Sequence, residues 1–192
     1  MIETNLNAEF KFSKTLDFGC GVGRVTIPFS KYCDEVIGVD VSELMLTIAR
    51  ERSKGNIIYL QSDDDLSAIK QQKYDLIHTY IVLQHIPVVR GYKIIERLLD
   101  HMNDKGVAVI HYTFDKILPF RTKLSRFLRQ YKLMNSILNL LTGRTVSEPF
   151  RQMNTYNLRK VFKMIISKGI KQIYCEFTNH GGYLGITMFI KK

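Results

Sequence analysis

Apolar and polar positions divide the chain into short segments whose periods differ. Phe10 and Phe12 alternate into a first strand through Leu16 to Phe18, which runs into Gly19-Cys20-Gly21-Val22-Gly23, and Val25 to Tyr32 can continue as a helix. Glu35 to Asp40 is a second short apolar strand, so the start of the chain reads as a βαβ unit. Ser42 is placed to cap a helix over Glu43 to Arg52, whose apolar positions are Leu44, Leu46, Ile48 and Ala49. Asn56 to Leu60, Tyr74 to Tyr80 and Val107 to Thr113 are further strands, and Pro87 opens a helix from Val88 to Met102. A last helix through Leu158 and Ile166 stops at Gly169, and Ile170 to Phe177 pairs with Tyr183 to Ile190 across Thr178 to Gly182.

The glycine stretch is where chemistry first narrows the reading. Glycines permit positive φ and close approach of a ligand, and free N–H groups at the following helix start face anions. Asp40, 17 residues beyond Gly23 at the tip of the second strand, is positioned to accept both hydroxyls of a ribose, which makes the ligand a nucleoside derivative. The glycines run G-x-G-x-G, with Arg24 where the dinucleotide fingerprint has its last glycine, so a pyrophosphate cradle is incomplete. Asp17 would repel a pyrophosphate yet suits the ammonium of a methionine moiety.

Asp17-Phe18-Gly19-Cys20-Gly21-Val22-Gly23, Gly38-Val39-Asp40-Val41-Ser42, Tyr74-Asp75-Leu76-Ile77, Val82-Leu83-Gln84-His85-Ile86 and Lys105-Gly106 resemble, in order and spacing, the motifs of class I S-adenosylmethionine-dependent methyltransferases. The resemblance runs from about Lys14 to Thr113. It implies a Rossmann-like sheet of seven strands, mostly parallel with the last antiparallel, helices on both faces, and S-adenosylmethionine as cofactor with S-adenosylhomocysteine as product. Cofactor contacts are then expected from Asp17, Gly19, Cys20, Gly21, Gly23, Asp40 and Val41, with Asp63 or Asp64 meeting the adenine amino group and Asp63 preferred. Tyr80 and His85 border the methionine side. Asp64 or Asp65 in a solvated turn also reads as the cap of the next helix, and His85 as a general base or, ahead of that, as a residue that orients its loop or lines the pocket.

Length and composition permit a single domain over 1–192, with 115–151 as a helical lid or substrate insertion. Three cysteines without metal-ligand spacing indicate neither a disulfide framework nor a metal site and suit a reducing cytosol. No apolar run has membrane-spanning length, so a cytoplasmic protein, at most peripheral to the inner face of a membrane, is expected. The stretch before Ser13 is short where such methyltransferases carry covering helices.

The acceptor is less well marked. His78-Thr79-Tyr80-Ile81 stands where methyltransferases acting on base amines carry N/D-P-P-Y/F. His111 and Tyr112 end the fifth strand, and one of them should face the site; His111 and His180 are the candidate bases. Met153-Asn154-Thr155-Tyr156 and the closing His-Gly-Gly hairpin resemble small methyltransferases of surface glycans and other metabolites, which points to a hydroxyl of a small molecule or sugar. A cofactor-binding partner subunit without turnover and an RNA-directed enzyme are the alternatives.

Of the net charge of +10, +7 lies in residues 116–151, with eight Lys or Arg against Glu148. Phe120, Leu124, Phe127, Tyr131, Met134, Leu138 and Leu141 form a helical apolar stripe there. Three partners suit the basic helix 120–141: the domain itself, with the stripe packed as a lid, an anionic membrane surface, or a nucleic-acid backbone.

Overall fold

The computed structural model describes residues 11–63, 65–117, 125, 127–128, 131–141, 145 and 153–192. The stretch before Lys11, Asp64, and the stripe positions Phe120 and Leu124 lie outside the described residues.

Seven strands form one sheet in the order β3-β2-β1-β4-β5-β7-β6. The strands are β1 (Phe12–Phe18), β2 (Cys33–Asp40), β3 (Ile57–Gln61), β4 (Tyr74–Thr79), β5 (Met102–Lys116), β6 (Gln172–His180) and β7 (Tyr183–Lys191). β7 runs antiparallel to both neighbours, and the other pairings are parallel. Leu16, Val36, Ile37, Val39, Ile77, Ala108 and Ile110 are buried, as expected of inner strands covered on both faces.

Helix α1 (Thr26–Phe29) is much shorter than the expected Val25 to Tyr32. Pro28 supplies no N–H, and Ser30, Lys31 and Tyr32 each close back three residues, so the chain tightens instead of continuing as an α-helix. α2 (Glu43–Arg52) begins at the Ser42 cap, which accepts from Met45 N at 3.4 Å. α3 (Val88–Asp100) buries Ile94, Ile95, Leu98 and Leu99, and α5 (Leu158–Ser167) buries Val161 and Ile165; both join the main core. Asn157 caps α5, and Gly169 follows it at φ 75°.

Two elements differ from their sequence pattern in ways that matter for the site. β5 runs far beyond Val107 to Thr113, to Lys116 at the carboxyl edge. The β6–β7 turn is only Gly181-Gly182, both at positive φ, so His180 is a strand residue paired with Tyr183 and not part of a loop.

Helix α4 (Lys132–Leu141) lies within the expected basic helix. Of the stripe positions among the described residues, Phe127, Tyr131 and Leu141 are exposed and Met134 and Leu138 half-buried, while Asn135 and Asn139 are buried. The amphipathic period fixes only that one face differs from the other; which face turns inward is decided by what lies beneath it. Among the described residues no helix is long and apolar enough to cross a membrane.

Candidate functional site

The loop after β1 folds over the carboxyl end of the sheet because Gly19 N and Cys20 N both donate to Val39 O, at 2.8 and 3.1 Å. Gly19 lies at φ 75°, and a Cβ there would sit 2.3 Å from Val82 Cγ2, so only glycine fits between the loop and residue 82. Gly23 is constrained likewise by the Tyr59 hydroxyl, 2.5 Å from where its Cβ would be. Asp40 is fixed by two backbone donors, Gly21 N to Oδ2 and Ser42 N to Oδ1, each at 2.9 Å. Its carboxylate thus stands at the loop's edge with lone pairs left for a diol.

A cleft of about 390 Å³ opens beside this loop, lined by Gly19, Asp40, Val41, Asp63 and His85 among others. Val41 is 66% exposed, an apolar surface in place for a flat ring. Asp63 accepts from Asp65 N at 3.0 Å, Ser67 N at 2.9 Å and Ser67 Oγ, and these bonds lower its pKa from the ordinary carboxylate value. It therefore holds the turn into Ser67–Ile69 while lining the cleft, a role the sequence assigned to Asp64 or Asp65. Asp64 lies outside the described residues.

Asp17 is engaged within the fold. It is 3% exposed, accepts from Thr26 Oγ1 at 2.6 Å, lies 2.8 Å from His78 Nδ1, and does not line the cleft. Its carboxylate ties the end of β1, beneath the glycine loop, to α1 and β4. Cys20 is buried against Leu46, Ala49 and Tyr59, so its side chain supports the loop, and burial pushes its thiol pKa up. Gly21 and Gly23 shape the loop without lining the cleft.

Tyr80 likewise turns from the cleft toward a cluster of rings. Its centroid lies 4.6 Å from His111, 6.5 Å from His180 and 6.4 Å from His78, and His111 and His180 are 5.6 Å apart. Residues from the ends of β4, β5 and β6 thereby converge at the carboxyl edge. His111 is the member of the pair that faces this cluster; Tyr112 points to the opposite face, where its hydroxyl donates to Met188 Sδ at 3.4 Å. His111 is fully buried, with Nε2 3.1 Å from Thr178 Oγ1 and, among the described residues, no partner on Nδ1. Burial, assisted by His180, holds its pKa down to about 4, so the ring is neutral near pH 7. Gly185 is the reason the ring fits: a Cβ there would lie 2.6 Å from His111 Nε2.

Several residues that sequence reasoning passed over hold the wall between cleft and cluster. Gln84 is buried; its carbonyl accepts from Asn154 N at 2.7 Å and its amide oxygen from Thr113 Oγ1 at 3.1 Å. The Tyr156 hydroxyl reaches the carbonyls of Leu83 at 2.8 Å and Ile86 at 3.0 Å. Gly91 makes room for it, since a Cβ there would meet that hydroxyl at 2.0 Å. The stretch Met153 to Tyr156 was legible as a motif but not as the brace of the loop it supports. Among the described residues no group of three His, Cys, Asp or Glu is arranged to hold a metal.

Comparison with known proteins places this geometry. Residues 15–106 match the family described as a methyltransferase domain. The ubiquinone biosynthesis O-methyltransferase of Coxiella burnetii is 32% identical over 80 residues, 40% of this chain and 34% of that protein. Its counterpart in Hydrogenovibrio crunogenus is 35% identical over 77 residues, 38% of this chain and 32% of that protein. The match thus spans about a third of these relatives' length. Magnesium protoporphyrin IX methyltransferase from Synechocystis PCC 6803, solved with S-adenosylhomocysteine, superposes with a TM-score of 0.69 at 18% identity, over 100% of this chain and 78% of that one. The N-methyltransferase NodS from Bradyrhizobium japonicum WM9 gives 0.62 at 13% identity, over 95% of this chain and 79% of that one. At such identities the structural likeness establishes the fold, and the sequence match adds the motifs of the glycine loop and ribose acid. Residues 15–106 of this chain thus carry a methyltransferase domain, on the fold of the class I S-adenosylmethionine-dependent enzymes.

Proposed function

We propose that this protein transfers the methyl group of S-adenosylmethionine to a hydroxyl of a small molecule, a sugar or glycan hydroxyl included. Bound in the cleft, the cofactor supplies a methyl on positive sulfur, already activated for in-line attack. Asp40 would hold the ribose hydroxyls, Val41 would cover one face of the adenine and Asp63 would stand at its amino edge. The loop N–H groups not taken by Val39 or Asp40 suit a carboxylate.

The observation that supports a hydroxyl acceptor is the His111–His180–Tyr80 cluster, with His111 Nδ1 buried and without a partner. A neutral imidazole there can accept the hydrogen of an incoming hydroxyl and aim its oxygen. With a pKa near 4, His111 orients the acceptor better than it removes a proton. As the O–C bond forms and the S–C bond breaks, the hydrogen held at His111 Nδ1 passes to that nitrogen, and His180, exposed at the mouth, is assigned its onward transfer to solvent. Positioning supplies much of the rate, since the leaving group needs no acid.

Calorimetric titration with S-adenosylmethionine and S-adenosylhomocysteine, with NAD as control, tests the cofactor. Asp40→Ala should weaken both adenosyl ligands by about 100-fold through two lost charge-assisted hydrogen bonds. Transfer to phenolic and sugar hydroxyls then tests the chemistry: His180→Gln should lower kcat, and His111→Gln should raise KM for the acceptor. Tight cofactor binding with no transfer to any acceptor would support the partner-subunit reading instead.

A further inference from the structure

Helix α4 is inverted relative to the helices of the core. Leu133, Ile137, Leu140 and Leu141 are 74%, 43%, 68% and 76% exposed, whereas Asn135 is 8% and Asn139 1% exposed. Asn139 Nδ2 donates to Thr145 O at 3.2 Å, so the inward face is held by polar contacts. Four large aliphatic side chains on one turned-out face of a ten-residue helix form a contiguous patch, and such patches mark contact surfaces.

The ends of this segment fix where the patch belongs. β5 delivers the chain at Lys116, and Ile117 N donates to Gly182 O at 2.7 Å beside the His180 hairpin. The chain returns where Asn154 N donates to Gln84 O and Tyr156 N to Thr113 O, at 2.7 and 2.8 Å. Both anchors are at the carboxyl edge, around the His111–His180 cluster. The segment is therefore tethered at the mouth of the acceptor site.

Charge decides between occupants. Residues 116–151 hold eight Lys or Arg against one Glu. A second copy would bring the same +7 segment against the first and be repelled. A nucleic acid would satisfy the cations but leave Leu133, Ile137, Leu140 and Leu141 in water. A surface with an anionic layer over an apolar one answers both.

We propose that α4 docks in the interface of an anionic membrane, with the Leu133, Ile137, Leu140 and Leu141 face among the acyl chains and the segment's Lys and Arg residues at the headgroups. Docking in this way sets the acceptor mouth against the bilayer. That the membrane also presents the methyl acceptor rests on the proposed transfer to a hydroxyl; the docking itself does not.

Co-sedimentation of the full chain with vesicles of equimolar phosphatidylcholine and phosphatidylglycerol, beside phosphatidylcholine alone, tests it. Binding to the anionic vesicles is expected, weakening as salt rises, with little on phosphatidylcholine. Ile137→Asp with Leu140→Asp should weaken binding at least about tenfold while leaving circular dichroism and S-adenosylhomocysteine affinity unchanged. Arg126→Glu with Arg129→Glu should reduce the salt dependence. Absence of binding at low salt would overturn the docking whatever the enzyme methylates. Equal binding by the Asp variant would overturn it in favour of a polyanion held by charge alone, and a dimer dissolved by that variant would assign the face to a second copy.

Discussion

On the cofactor side of the carboxyl edge, the acids are already committed within the chain: Asp17 to Thr26 and His78, Asp40 to Gly21 and Ser42. On the side proposed for the acceptor, three aromatic or imidazole rings meet around a nitrogen that has no partner among the described residues. The first region is a mould prepared by backbone geometry; the second is a set of side chains whose unmet capacity waits for a substrate group. Preorganisation of this kind lets a single cofactor recur across many acceptors, since the mould is local and the acceptor pocket is assembled from distant strands.

The cofactor mould should fail most sharply at Gly19. Ala at this position combines positive φ with a Cβ inside the Val82 side chain, so loop and residue 82 must separate. Calorimetry on folded Gly19→Ala should show S-adenosylhomocysteine affinity lower by about 100-fold or more, from backbone strain added to overpacking. Unchanged affinity would mean that residue 82 yields and the mould is softer than its geometry.

Asp17→Ala comes next and strikes beneath the mould. It leaves the Thr26 hydroxyl and His78 without their carboxylate in a site that is almost dry. Denaturant unfolding should show a loss of about 2 kcal/mol, with Asp17→Asn losing less because one acceptor remains. Direct pairing with the cofactor ammonium predicts the reverse pattern: stability kept and affinity lost.

These two acids show what the sequence made legible. The place of Asp40 at the cleft was readable because it is written locally, an acid at the tip of a strand after a glycine turn. For Asp17 the internal partners were not readable, since His78 is 61 residues away and comes beside it only through β1–β4 pairing. His111 and His180 each looked weak alone; the strand order β5-β7-β6 and the two-residue turn bring them together. The α4 stripe was readable as amphipathic, yet its orientation was not, because periodicity carries no information about what the helix lies upon.

The wall between the two regions offers a smaller test. Gly91→Ala should displace the Tyr156 hydroxyl from the Leu83 and Ile86 carbonyls and destabilise the protein by about 1–2 kcal/mol. In a double-mutant cycle with Tyr156→Phe, the two losses should fall well short of additive, since both remove the same brace. Additive losses would show that the glycine serves α3 packing alone.

The smallest effect belongs to the acceptor side and reports its dryness. The His111 imidazole has a folded pKa near 4 against about 6.5 when unfolded, because burial and His180 oppose its charge. Between those values the unfolded chain binds more protons at this residue than the folded one, so stability is intact above about pH 6.5 and falls as pH drops toward 4. From pH 7.5 to 5.5 the wild type should therefore lose about 1 kcal/mol more than His111→Asn, which has no proton to take up in that window. Urea unfolding at a series of pH values reads the difference directly. Parallel profiles would mean that water reaches Nδ1, and the cluster would then be an open surface and not a pocket able to hold a hydroxyl in place. Convergence of the two profiles on acidification would instead identify the same unmet nitrogen that the acceptor is proposed to use.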